Sequence, residues 1–358
     1  MKIKKYIGVL SVIASFALFF TNVEIVKASV FESILFCTKT LIPSIFIFMV
    51  LTSVILYTKA LEALFEIIPD KAFYVLGVCK KYFLIILTCS LCGFVNGPKA
   101  LCEDYKENGG NPTELSNAIA LSSNAGIGFL IGFVGKQLWG DAMFGLWLFL
   151  AQIFWAFFLG KLILKRVDIH SKNSDFYNKN PTNKMSFFSS ISKAVISSST
   201  TIISICAFVI FFSVICEIAA SVCLLKKDSG GYSILNILCE FCKGSIYCIK
   251  FENTLLCAFF SGLCVGFGGF CVHFQTFAVC EGFYVDKVRF IAFKTIHGVV
   301  CGLSALLYAY IRKSEPVRSV FLSFDNLKSS SFFITIFCLF VGAYLIYLIY
   351  KKIFQKLY

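Results

Sequence analysis

The stretch Gly93-Phe-Val-Asn-Gly-Pro-Lys-Ala100 closes an apolar run that begins at Tyr82. A helix that spans lipid does not normally end on two glycines, an asparagine, a proline and a lysine. Gly93 and Gly97 permit close backbone approach and unusual dihedrals. Pro98 lacks an N–H and interrupts a continuing helix. Unwound backbone at membrane depth survives only where it is buried in protein or lines a wet cavity. There its free N–H and C=O groups and its helix-dipole ends face whatever enters. Asn96 and Lys99 add donors and a positive charge, which suits a polar or anionic ligand. The competing reading is an ordinary turn at the membrane surface, with Lys99 reaching into headgroups.

The rest of the chain favours a membrane setting. Of its 358 residues 58% are hydrophobic and only 15% charged, where a soluble domain carries about a quarter. Mean hydropathy is +0.82. The apolar residues fall in long runs, as a bilayer-crossing helix of about 20 residues requires. The predicted fold class is all-α: a polytopic membrane protein with about eight or nine transmembrane helices in two internal repeats, carrying broken or re-entrant Gly-rich segments. The expected spans follow Tyr6–Thr21 at about 30–57, 82–98, 115–134, 142–164, 196–224, 254–272, 288–311 and 332–350. Two lesser stretches, 59–78 and 232–250, are surface or re-entrant candidates.

The net charge is +13. It gathers at helix ends and in one loop, the pattern of basic residues retained on the cytoplasmic side, so no nucleic-acid partner is expected. Residues 161–194 hold Lys161, Lys165, Arg166, Lys172, Lys179, Lys184 and Lys193 against Asp168 and Asp175. This divides the chain into a first repeat at 29–165, a cytoplasmic basic linker at 166–194 and a second repeat at 195–358. Residues 1–28 read as an N-terminal membrane helix, with a signal-like segment as the alternative. An odd number of segments precedes the linker, yet it and the basic N-terminus should share one side. One segment must therefore not cross, and 82–98 is the expected one.

A shift of 172 residues sets Leu91, Cys92, Gly97, Gly110, Ile119, Ala120 and Gly126 on Leu263, Cys264, Gly269, Gly282, Ile291, Ala292 and Gly298. The element matching the opening motif is Val265-Gly-Phe-Gly-Gly-Phe-Cys-Val-His-Phe-Gln275. Gly268 and Gly269 again precede polar groups, here His273 and Gln275. Paired helix breaks in internal repeats mark transporter-like folds. Lys294 and His297 stand three apart on one helix face, and ionisable residues inside a membrane are functional candidates by default. Helix–helix contact or an interfacial position is the alternative. Ser123 and Asn124, in Ser122-Ser-Asn-Ala-Gly-Ile-Gly128, either pack helices closely or line a path. Glu240 is the lone acid of a weakly polar dip.

Seventeen cysteines lie mostly inside apolar runs, as small hydrophobic residues do. The pairs Cys89/Cys92 and Cys239/Cys242 would need to converge to bind zinc. No GxSxG, HExxH or Walker-type motif is present. No enzymatic activity, metal or cofactor is expected.

The motifs carry a resemblance. Gly93–Leu101, "GFVNGPKAL", resembles a degenerate form of the glycine–tyrosine–proline–x–glycine–alanine–lysine signature of nucleoside-recognition (Gate) domain membrane proteins. The branch it resembles is the sporulation integral membrane protein of YlbJ type. Gly93, Gly97 and Lys99 keep their places, while Val95 replaces the proline and Pro98 the alanine. "TLIPSIFIFMVL" at 40–51 is similar to the family's Pro-Ser-aliphatic-Phe-Pro-Phe stretch. "ELSNAIALSSNAGIGFLIGFVG" at 114–135 resembles its helix of small polar residues, with Ile127 where proline is usual. "FGGFCVHFQ" at 267–275 and "KTIHG" at 294–298 resemble the second-half motifs. The resemblance implies a multi-pass protein of the bacterial cytoplasmic (cell) membrane, in an endospore former, acting in spore cortex or coat formation. It implies a fold related to nucleoside transporters. The expected partners are membrane lipid, a small polar solute such as a nucleoside, and a second copy or sporulation proteins. The alternative is a membrane scaffold that transports nothing. The substrate-binding candidates are Gly93, Asn96, Gly97, Lys99, Ser123, Asn124, Gly268, Gly269, His273, Gln275, Lys294 and His297.

Overall fold

A computed structural model describes residues 16–58, 78–164 and 187–317, all within the unit Met1–Arg318. Among these residues there is no strand. The first long helix, α1, runs Val23–Thr58. Its turn Cys37–Leu41 is π-wound and immediately precedes Pro43, whose missing N–H and bulky ring a widened turn accommodates. Short helices follow: α2 (Lys80–Cys89), α3 (Asn96–Asn108), α4 (Pro112–Ser122) and the π-wound α5 (Phe129–Leu138). A long helix, α6 (Ala142–Ile163), ends the first half. The second half begins with α7 (Phe187–Val222). A short pair follows, α8 (Gly230–Cys239) and α9 (Phe241–Cys248). Then come α10 (Thr254–Phe267), α11 (Gly269–Val279) and the long α12 (Lys287–Arg312).

Most starts are written locally. Asn111 caps α4 by accepting from the N–H groups of Thr113 and Glu114, with Pro112 in the first turn. Asp141, Asn253 and Asp286 cap α6, α10 and α12 in the same way. Each side-chain oxygen satisfies N–H groups that a helix start leaves without partners.

Five helices are long and apolar enough to cross a membrane: Val23–Thr58, Ala142–Ile163, Phe187–Val222, Thr254–Val279 (with a break at Gly268) and Lys287–Arg312. The outer face of α6 shows why they face lipid. Met143, Trp147, Leu150, Phe154, Phe158 and Leu162 are exposed at helical spacing, while Phe144, Leu148, Gln152 and Ala156 of the same helix are buried. A stripe of this size on a soluble surface would mark an interaction site; on five long apolar helices it marks contact with lipid. The chain is thus a polytopic α-helical membrane protein.

Of the other expected spans, 82–98 is divided between the ten-residue α2, which begins at Lys80, and the first turn of α3; α2 is about 15 Å of helix at 1.5 Å per residue, half the hydrocarbon thickness. Residues 115–134 are divided between α4 and α5 by an unwound stretch. The stretches 6–15, 59–77, 165–186 and 332–350 lie outside the described residues. α1 runs unbroken through positions 28 and 29, and α7 begins at Phe187, within the stretch expected as linker.

The tightest packing is α10 on α12. Gly262 faces Cys301, Gly266 faces Gly298, and Gly302 rests on Phe259. A Cβ at Gly266 would lie 2.7 Å from the Gly298 Cα, and one at Gly262 would press on the Cys301 carbonyl oxygen. Two Gly-xxx-Gly faces in register let the backbones touch, which supplies helix association in lipid. Gly262→Val should therefore lower stability by about 1–3 kcal/mol or more. Gly230→Ala, with nothing nearer than 3.9 Å to the added atom, should stay within about 0.5 kcal/mol of wild type. Thermal unfolding of the two variants in detergent checks this, and equal melting temperatures would refute the seam.

Outside the spans, Glu114 is 2% exposed and accepts the Cys79 N–H at 2.8 Å, tying the start of α4 to that of α2. Burial pushes its carboxyl above the usual carboxylate range, and the Cys79 bond offsets part of the rise. The folded state then holds the proton more tightly than the unfolded chain. Its stability falls as pH rises from the unfolded value, about 4.3, through the raised one. Glu114→Gln keeps the acceptor and removes this loss. Its melting temperature should gain on wild type between pH 4 and pH 7, and a constant difference across that range would contradict the account.

Candidate functional site

Three helix breaks lie at the centre of the fold. The first, residues 90–95, separates α2 from α3. The second, 123–126, separates α4 from the turn that leads into α5. The third is Gly268, between α10 and α11. Gly93 has φ +119° and Gly268 φ +81°, values that favour glycine. At Gly268 an added Cβ would be 3.1 Å from the Phe94 ring, and at Gly126 it would be 2.9 Å from the Cys92 carbonyl. The Ile127 N–H donates across to the Leu91 carbonyl at 3.2 Å. The first break thus touches both of the others. Gly269, φ +74°, rests on the backbone of Cys239 and Phe241, the tip of the α8–α9 pair.

Side chains from neighbouring helices complete the broken backbone. Gln152, 0% exposed on α6, accepts the Ala125 N–H at 3.0 Å and donates to the Ala125 carbonyl at 2.7 Å. Its amide repeats the pairing a neighbouring strand would give. Lys294 donates to the Ser123 carbonyl at 2.6 Å. His297 Nε2 lies 2.8 Å from the Gln152 carbonyl oxygen. Because a carbonyl only accepts, Nε2 carries the hydrogen. Nδ1 sits 3.1 Å from the Lys294 ammonium and 3.0 Å from the Gly266 carbonyl. In a neutral ring it accepts from Lys294. Both side chains are 0% exposed, and among the described residues no carboxylate pairs with Lys294. Two adjacent cations in such a place would repel strongly, so one positive charge on the pair is the arrangement the geometry favours. The Phe94 ring lies 6.0 Å from that ammonium.

Phe94 also lines a cavity of ≈ 50 Å³. Gly93, Asn96 and Gln275 line it, together with Glu240 from the tip between α8 and α9. Asn96 also lines a smaller space of ≈ 30 Å³ together with Lys99, and Lys99 in turn lines a more open cavity of ≈ 330 Å³ between α3, α7 and the end of α11. Lys99 donates to Ser197 Oγ at 2.8 Å and Thr201 Oγ1 at 2.9 Å on α7. Burial there lowers its pKa below the ordinary lysine value, against the opposing effect of Glu103.

The twelve candidates thus separate. Gly93, Asn96 and Gln275 meet at the cavity. Ser123, Lys294 and His297 meet close to Phe94. Asn124, in the second break, donates to the Leu121 carbonyl at 2.7 Å. Gly268 and Gly269 form the third break. Lys99 lines the other two cavities. Gly97 is a packing position, its would-be Cβ 2.6 Å from that of Ser122. His273 has Nε2 2.9 Å from the Phe267 carbonyl and its ring among Phe267, Phe270 and Phe290; it lines none of these cavities. The structure adds Gln152, Glu240, Ser197 and Thr201. Gln152 is the only amide in the apolar run of α6 and could have been singled out from the sequence. Ser197 and Thr201 sit in a Ser/Thr-rich stretch that reveals nothing of its partner.

No protein-family profile, curated protein or solved structure matches this chain.

Gln152→Leu strands the buried N–H and C=O of Ala125. Each group left unpaired costs about 1–3 kcal/mol, so this variant should unfold at clearly lower temperature than wild type in detergent. An unchanged melting temperature would show that the second break does not depend on the amide.

Proposed function

We propose that this chain is a Gate-type transporter that moves a small polar solute, a nucleoside being the first candidate, across the cytoplasmic membrane of an endospore-forming bacterium. The observation that carries this reading is the contact between the first break and the other two, beside three cavities that share Asn96 and Lys99 in their linings. Broken helices that meet within apolar surroundings are what a midplane binding site is built from. The two-repeat architecture is part of the proposal. α3 starts at Asn96 and α11 at Gly269, 173 residues apart; α4 starts at Pro112 and α12 at Lys287, 175 apart. Both spacings sit close to the 172-residue shift of the sequence identities. The broken pairs, with the apolar stretches at the two ends of the chain, would bring the spans to eight or nine.

The second reading, a sporulation scaffold that transports nothing, has one observation in its favour. Small-molecule pockets run to roughly 300–1,000 Å³, whereas the central cavity is ≈ 50 Å³. A transporter in this conformation would be closed around its site.

Purified protein in liposomes should take up labelled nucleoside, and Lys99→Ala, which removes the ammonium from two of these linings, should reduce the rate several-fold. Uptake equal to that of protein-free liposomes across a panel of nucleosides, bases and spore solutes would overturn the transport reading. Normal sporulation of a Lys99→Ala strain beside such a result would favour the scaffold.

A further inference from the structure

The central cavity has its own chemistry, distinct from that of the two cavities lined by Lys99. Three polar side chains reach it from three elements: Asn96 at the start of α3, Glu240 at the tip between α8 and α9, and Gln275 on α11. All three present oxygen. Asn96 donates its amide nitrogen to Cys92 Sγ at 3.0 Å. That thiol spends its own hydrogen on the Cys89 carbonyl, 3.1 Å away, so toward Asn96 the sulfur can only accept. This fixes which end of the amide faces the sulfur. Gln275 likewise donates to Cys271 Sγ at 3.3 Å. Neither amide oxygen has a donor among the described residues. Glu240, 1% exposed, accepts one N–H on each carboxylate oxygen, from Cys242 at 2.9 Å and Lys243 at 2.7 Å. A carboxylate oxygen accepts more than one hydrogen bond, so capacity remains on both.

No cation among the described residues pairs with Glu240. Lys243 turns its ammonium to Glu217, 3.2 Å away. Lys294, whose ammonium lies 6.0 Å from the Phe94 ring, does not line the cavity. The Lys243 charge still reaches Glu240 from its place on Glu217, and the other titratable groups that feel the Glu240 charge are thiols: Cys37 from α1, Cys216 from α7, Cys239 and Cys242 beside it, and Cys271 from α11. A carboxylate this deeply buried needs compensation, and two backbone N–H groups supply no counter-charge.

We propose that this cavity binds one small monovalent cation, held by the Glu240 carboxylate and the side-chain oxygens of Asn96 and Gln275. The single negative charge matches a single positive one. A divalent ion would bury an excess charge, and Ca²⁺ takes 6–8 oxygens. Amide and carboxylate oxygens suit hard cations and not the soft ions that thiolates select. The volume, ≈ 50 Å³, is that of one or two waters at about 30 Å³ each, too small for an organic solute. A cation here joins the first break to the α8–α9 tip and to α11. Its role as the ion that couples to solute movement rests on the transporter reading; its binding does not.

The test uses the full-length protein in detergent. Melting temperatures are compared in LiCl, NaCl, KCl and choline chloride at one ionic strength, and ²²Na⁺ binding is measured directly. At least one of the three small ions should raise the melting temperature saturably above the choline value, as mass action on a folded-state site demands. Glu240→Gln, which keeps an acceptor for the α9 N–H groups, and Gln275→Leu, which leaves that cap untouched, should each weaken binding at least ten-fold. Equal melting temperatures in all four salts overturn the proposal, as does ion binding unchanged in both variants. Cation binding without solute uptake in liposomes would sink the transporter reading alone. Uptake without cation binding would sink only this inference.

Discussion

Peptide groups freed inside a lipid-facing helix bundle have no water to turn to, and the described structure is organised around that constraint. Each break is completed by a specific donor or acceptor. Gln152 pairs with both polar groups of Ala125, Lys294 donates to the Ser123 carbonyl, and His297 accepts from Lys294 and donates to the Gln152 carbonyl. The Ile127 N–H finds the Leu91 carbonyl across the interface of two breaks. Remove these partners and the unwound backbone would have to rewind or leave the interior. The breaks are therefore paired features, each shaped to meet another element.

The same constraint explains where small residues fall. Gly126 and Gly93 let two unwound segments touch, and Gly262, Gly266, Gly298 and Gly302 let α10 lie against α12. Without a hydrophobic drive between helices in lipid, close packing and such polar contacts hold the bundle together. Charge is handled with similar economy. Lys294 and His297 share one region, Glu240 another, and the Phe94 ring neighbours both. Polar chemistry is thus divided between a cationic pair that ties backbone and a mostly apolar cavity into which Asn96, Glu240 and Gln275 bring polar groups.

Much of the candidate site was legible residue by residue. Gly93, Asn96, Gln275, Ser123, Lys294 and His297 all stand at the centre, because glycine-rich interruptions and ionisable groups inside apolar runs are expensive unless something uses them. Gly97 and His273 carried the same signal and turned out to pack: a glycine serves close approach as readily as unwinding, and a histidine can spend its hydrogen on one carbonyl. Glu240 stood out as a lone acid, but its place in the cavity follows from the approach of the α8–α9 tip to the first break, some 145 residues earlier in the chain.

Hydrophobic run length and turn chemistry by themselves determined that this chain is helical, that it crosses a membrane several times, and that helices fail at Gly93 and at Gly268, although Gly97 and Pro98 stand in the first turn of α3. Both are local properties: a bilayer demands about 20 apolar residues per crossing, and proline and glycine interrupt helices wherever they stand. Only the tertiary structure decided which breaks meet, that α4 and α5 are separated although their residues read as one apolar run, and which face of each polar side chain is spent on backbone. Those outcomes depend on contacts between residues 27 to 171 positions apart, and no local pattern carries the distance between Lys294 and Ser123.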